Sequence, residues 1–141
     1  MKPIKRAIAY VIYNNDHSKI LIVQRPHDDE NLPDVWGLPA GSVKDDESLE
    51  ECLIRSGREK LGVELKLVNL IGKNNIERKN YILHMDDYEA KIISGEPKVP
   101  QQIQGITQYQ QWKWGVSSDL RDAANKGSLC SQIYLSSVNK R

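Results

Sequence analysis

The chain has 141 residues, 39% hydrophobic and 28% charged, with 20 basic and 19 acidic side chains and a net charge of +1. That length suits one domain with its own core, and the balanced charge offers no basic or acidic face for a nucleic acid or a membrane surface. No apolar run approaches the ~18 residues of a membrane span, and two cysteines, Cys52 and Cys130, without metal-type spacing point away from a disulfide scaffold and towards a reducing, cytoplasmic setting.

Residues 6–13 (RAIAYVIY) are rich in strand formers, 14–18 form a turn cluster, and 20–24 (ILIVQ) make a second strand. The short turn between them predicts a hairpin. The apolar stretch at 8–13 is too short for a leader segment and reads as strand. Arg25-Pro26 ends the second strand. His27 to Glu30 reads as a solvated loop, because no further His or Cys stands at ligand spacing. Residues 33–39 form a structured loop with Trp36 as its apolar anchor.

The stretch 41–63, GSVKDDESLEECLIRSGREKLGV, organises the rest. A turn-rich head leads to Ser48-x-x-Glu51, a capping-box pattern in which each side chain satisfies the other's backbone donor. Leu49, Leu53 and Leu61 repeat at multiples of four, which predicts a helix over 49–61 with one apolar face. Cys52 reads as a small buried residue, and Gly62 suits the left-handed position that closes a helix. Gly57 inside the helix costs about 1 kcal/mol relative to Ala. Ser56, Glu59 and Lys60 stand at i, i+3 and i+4 and share one patch. Acids at such spacing would cradle a hard cation. Here only Glu59 is acidic, Ser56 is neutral, and Lys60 brings a charge that repels a cation at ~4 Å by roughly 4 kcal/mol or more.

Beyond the helix, 63–71 (VELKLVNLI) alternates and predicts a half-buried strand, 72–80 a polar connection, 81–93 one long or bulged strand pair, and 94–97 a turn. His84 falls in the apolar part of that strand and reads as structural. Residues 100–111 hold six glutamines and no acid. A Gln amide hydrogen-bonds a base edge or coordinates weakly, but it does not abstract a proton near neutral pH. Trp112 and Trp114 alternate on a strand and share a face, in the core first and as base-stacking surfaces, with Tyr109, second. Residues 118–125 predict a helix capped by Ser117 or Ser118 and closed by Gly127. Residues 128–138 fit either a helix or a strand, and 139–141 fray.

Gly41, Glu47, Arg55, Glu59, Gly62 and Val63 fall on the positions of the Nudix box, and Trp36-Gly-Leu-Pro-Ala-Gly41 is similar to its lead-in. The chain therefore resembles the Nudix family. Ser56, Gly57 and Lys60 depart from the box, and Ala40 stands where a second Gly is usual. The resemblance implies a single α/β domain over 1–141, a Nudix-type α/β/α sandwich around a mixed β-sheet. It implies cleavage of a nucleoside diphosphate linked to another moiety, with Mg2+, or Mn2+, weakly held or absent without substrate. Glu59 and Arg55 are then the catalytic pair, and Glu59, Glu47 and the Ala40 carbonyl the metal donors. Arg55 orients the acids, with Glu51 as a second partner. Arg25, Lys60, Gln108 and Gln111 are the substrate contacts, the glutamines standing where many members carry an acid. A second reading stays open: a nucleotide-binding or regulatory domain with impaired catalysis, binding without Mg2+ through Lys60 and Arg25. The partner is a small nucleotide, and a homodimer is compatible with either reading.

Overall fold

The computed structural model describes residues 1–139; of the segment expected to fray, 140 and 141 lie outside the described residues. Strand β1 (Ile4–Ile12) is central to the larger sheet, whose order is β4-β1-β6-β5. It pairs parallel with β6 (Ile82–Ser94) and antiparallel with β4 (Ala40–Ser42), and β6 pairs antiparallel with β5 (Glu64–Glu77). The sheet is therefore mixed. A second sheet has the order β3-β2-β9, with β2 (Ile20–Gln24) between β3 (Trp36–Gly37) and β9 (Gln111–Gly115). The strands β7 (Gln102–Ile103) and β8 (Ile106–Thr107) make a small separate hairpin.

β1 is buried on both faces, which explains its near-continuous apolar run. Ile8, Tyr10 and Ile12 join a core with Cys52, Leu53 and Leu61 of the helical segment. Ala7, Ala9 and Val11 face Leu120, Leu129, Cys130 and Ile133. Helix α1 (Leu49–Ser56) thus covers one face, and α2 (Arg121–Asn125) with α3 (Leu129–Val138) covers the other. This is the α/β/α sandwich that the sequence predicts.

Several local expectations change. β1 and β2 do not form a hairpin: both edges of β1 are occupied by β4 and β6, and only an isolated bridge, Tyr13 to Ile20, joins it to β2. The polar stretch 72–77 continues β5, because β5 is an edge strand whose exposed residues still pair along β6. Three register shifts precede it, the last between Leu70 and Gly72, and 72–77 then pairs regularly with 82–87 although its side chains carry almost no apolar alternation. The helix over 49–61 divides into α1 and a π-helical turn, Gly57–Leu61, closed by Gly62 at φ 68°. The capping of the helix near 118 falls to neither serine. The Asp119 carboxylate accepts from the Val116 N–H at 2.9 Å, ahead of a 3-10 turn, Ser117–Leu120. Residues 129–138 are helical.

Candidate active site

The loop that follows β4 returns to α1 through one guanidinium. Arg55 Nε donates to Glu47 Oε2 at 2.6 Å and Nη2 to Glu47 Oε1 at 2.9 Å, while Nη1 donates to Glu59 Oε1 at 2.8 Å and Nη2 also to the Ser42 carbonyl at 2.8 Å. Such a fork fixes geometry as well as charge. Arg55 holds the Glu47 carboxyl down at about 2. The glutamates in turn raise Arg55 further, Glu47 through its hydrogen bonds being the largest cause. Glu51 does not join this cluster. Its carboxylate accepts from the Ser48 N–H at 2.9 Å and is committed to the cap, with Ser48 Oγ accepting from the Glu51 N–H at 3.0 Å.

The other two residues of the altered trio meet at Ala40. Lys60 Nζ donates to the Ala40 carbonyl at 2.5 Å, and Ser56 Oγ lies 3.4 Å from the same oxygen. Ser56 is fully buried and 3.0 Å from the Tyr10 hydroxyl. Tyr109 accepts from the Ala40 N–H at 3.0 Å, and its hydroxyl lies 3.3 Å from the Ala40 carbonyl. The Lys60 ammonium stands 5.6 Å from the Tyr109 ring centroid, within cation–π reach. Tyr10 and Tyr109 carry this corner, and sequence reasoning gave them no such part. Tyr10 reads as one more strand residue, and its partnership with Ser56 spans 46 positions.

These donors do not fit a resident divalent cation. Among the described residues no group of three His, Cys, Asp or Glu side chains converges as metal ligands do. Glu47 gives both oxygens to Arg55, Glu59 gives one, Ser56 is fully buried against Tyr10, and the Ala40 carbonyl is taken by an ammonium. A hard dication needs anionic or neutral oxygens, not a neighbouring positive charge.

Ala40, Gly41, Ser42 and Lys60 form one wall of a cleft of about 950 Å³. Arg25 and Gln108 also line it, whereas Glu47, Arg55, Glu59 and Gln111 do not. Arg25 Nη2 is paired with Asp29 at 3.0 Å. Gln108 Nε2 donates to the Ile106 carbonyl at 3.0 Å. Gln111, on β9, donates to Gln24 Oε1 at 2.9 Å, as its cross-strand register dictates. Trp36 is partly buried against the core with Lys113 Nζ 4.4 Å above its ring, and Trp112 meets Trp114 edge to face at 5.6 Å. Neither Trp112 nor Trp114 lines the cleft, but Tyr109 does.

Comparison with known proteins agrees with this scaffold. The profile of the NUDIX domain matches residues 3–114. The chain is 31% identical over 98 residues to the mRNA-decapping enzyme subunit 2 of Saccharomyces cerevisiae, covering 67% of this chain and 10% of that one. It is 33% identical over 77 residues to the CTP pyrophosphohydrolase of Escherichia coli, covering 55% of this chain and 56% of that one. The chain thus spans about a tenth and about half of these relatives. The crystal structure of the MutT protein from Methanosarcina mazei superposes with a TM-score of 0.75 at 16% identity, covering 99% of this chain and 96% of that one, a likeness of fold. A box that keeps its arginine clamp, a mixed sheet between two helical layers and a profile match over four-fifths of the length lead to one conclusion: the chain belongs to the Nudix hydrolase family.

Proposed function

We propose that this chain binds nucleoside diphosphates joined to a further group, with the Lys60 ammonium as the counter-charge to the diphosphate. The observation that carries this reading is the bond from Lys60 Nζ to the Ala40 carbonyl at the cleft wall. An ammonium has three N–H donors. One is spent on Ala40, and the others suit phosphate oxygens, for which lysine is a competent point charge. Arg25 adds a guanidinium on the same cleft, Gln108 an amide for a base edge, and Arg55 positions the loop by holding Glu47, Glu59 and the Ser42 carbonyl. The names of the relatives, an mRNA-decapping subunit and a CTP pyrophosphohydrolase, support a nucleotide ligand.

Titration calorimetry with ADP in the presence of chelator tests this directly. The expected result is binding that Mg2+ leaves within twofold and that Lys60→Glu weakens at least tenfold. ADP binding that appears only with Mg2+ would sink the lysine role.

A second reading is favoured by one observation. Glu59 uses only Oε1 on Arg55 and its side chain is 32% exposed. In that reading the chain is a pyrophosphohydrolase in which Glu59, Glu47 and the Ala40 carbonyl would hold Mg2+ or Mn2+ together with the ligand's phosphates, and the metal would supply charge neutralisation there. Product analysis with nucleoside triphosphates, nucleotide sugars, ADP-ribose and dinucleoside polyphosphates, scoring the nucleotide formed together with pyrophosphate or the phosphorylated second moiety, separates the two. Turnover that chelator and Glu59→Gln both abolish establishes the enzyme.

A further inference from the structure

The cleft carries a charge that the chain as a whole does not. Six basic side chains, Lys5, Arg25, Lys60, Arg78, Lys79 and Lys126, line it against two acidic ones, Asp28 and Asp29. They come from separate parts of the fold. Lys60 stands beside Ala40 at one end, and Arg25 follows the close of β2. The others are gathered by the sheet: Lys5 on β1 pairs with Leu83 on β6, and its ammonium lies 5.3 Å from the Tyr81 ring centroid. Arg78, in the β5–β6 turn, donates from Nη2 to the Gly127 carbonyl at 3.0 Å, and so brings that turn against the residue next to Lys126. Lys5, Arg78, Lys79 and Lys126 therefore share a second end. Between the two lie apolar side chains, among them Ala7, Leu38, Leu83, Met85 and Leu129.

Few of these charges are neutralised. Arg25 is paired with Asp29, and Lys126 with Asp122 at 3.2 Å on the exposed surface. Lys5, Lys60, Arg78 and Lys79 have no acidic partner among the described residues. One diphosphate at Lys60 leaves the second end unmatched, and a concentration of like charge on a concave surface selects a ligand of opposite sign.

We propose that the Lys5–Arg78–Lys79–Lys126 end is a second anion subsite, and that the ligand is a nucleoside bearing a phosphate on its 3′ side as well as the 5′ diphosphate. This rests on the reading of the cleft as a nucleoside diphosphate site. The nucleoside lies over the apolar floor, and its two ester positions lead to the two basic ends. A mononucleotide with a 3′-phosphate and the 5′ end of an RNA chain both present this chemistry.

Calorimetry in chelator with ADP, ADP carrying a 3′-phosphate, and a dinucleotide carrying a 5′ diphosphate tests it. The 3′-phosphate is expected to tighten binding at least tenfold over ADP. Lys5→Glu with Lys79→Glu, both at exposed positions, is expected to erase that gain and leave ADP within twofold, while Lys60→Glu weakens all three. The single variant Lys79→Gln, expected to lose part of the gain, guards against a misfolded double variant. A dinucleotide that binds more tightly than the 3′-phosphorylated mononucleotide supports the RNA-end source, and the reverse order supports the small nucleotide. Equal affinity for ADP with and without the 3′-phosphate overturns the second subsite while the diphosphate reading stands. No binding by any of the three overturns both.

Discussion

Arg55 is the residue through which the box loop and the helix become one body. It gives two hydrogen bonds to Glu47, one to Glu59 and one to the Ser42 carbonyl from a guanidinium whose side chain is 25% exposed. Because Arg55 holds Glu47 down at about 2, and an unfolded glutamate titrates near 4.3, the folded state carries one proton fewer between those values. The stability this supplies is present above about pH 5 and is lost as pH falls towards 2. Acid titration of unfolding is therefore expected to lose roughly 2–3 kcal/mol across that window. In Glu47→Gln most of this loss disappears, and a wild-type slope in that variant would assign the acid sensitivity elsewhere. Arg55→Lys keeps the charge but not the fork, so it is expected to lower the melting temperature although the substitution looks conservative. Ser56 gives a third case. It is fully buried between Tyr10 and Ala40, and a Cβ on Gly41 would already stand 2.9 Å from its hydroxyl. Restoring the family's acid by Ser56→Glu buries a carboxylate in a corner with no room, and is expected to destabilise by roughly 3 kcal/mol or more in chelator.

At the scale of elements, the motif segment departs from a plain helix where it meets β5. A Cβ on Gly57 would lie 2.6 Å from Leu65 Cδ1 and 2.7 Å from its Cγ. Glycine lets the π turn close on the strand, so its unfavourable helix propensity is offset by packing. Gly57→Ala, which propensity alone would count as stabilising, is expected to cost roughly 1–3 kcal/mol in chemical denaturation. Leu65→Ala in the same chain should recover part of it, since overlapping neighbours are not additive. This contact shows where the sequence was readable. Ser48 with Glu51 and Gly62 announce both ends of the helical segment, because capping is local chemistry between residues three or four apart. The closeness of Gly57 to Leu65, the separation of β1 from β2 and the run of β5 through 72–77 were not readable. Each depends on which strand edge is already occupied, and that is decided by residues far away in the chain. The site divides in the same way. The contacts among Glu47, Arg55 and Glu59 are local to one loop and helix and follow from spacing, whereas Tyr10, Tyr109 and the basic group at Lys5 and Arg78 assemble across the sheet.

For the molecule as a whole, a net charge of +1 conceals charge sorted into one cleft, and an ordinary composition conceals one acid in the core. Asp87, at the middle of β6, is fully buried with neither carboxyl oxygen hydrogen-bonded. It sits opposite Ala9 on β1 and Gly72 on β5, neither of which offers a polar side chain. Burial first, and the neighbouring Asp86 second, push its carboxyl up to about 8. In the unfolded chain an aspartate titrates near 3.9. Between those values the folded state holds the extra proton, so stability falls as pH rises from about 4 to about 8 and then levels off. The sign is opposite to that of Glu47, and together the two groups place the most stable condition near pH 4, where the Glu47 gain is nearly complete and the Asp87 loss begins. Cys130, beside Asp87 in the electrostatics of the core, is itself raised to about 11 by burial and does not titrate in this window. Denaturant melts of the wild type are expected to lose on the order of 3–5 kcal/mol between pH 5 and pH 8.5. Asp87→Asn leaves a buried amide and is less stable at pH 5, but its stability should be nearly flat across the same range. The slope, not the absolute value, is therefore the quantity to measure, and an equally steep slope in Asp87→Asn would place the titrating group outside the β1–β6–β5 core.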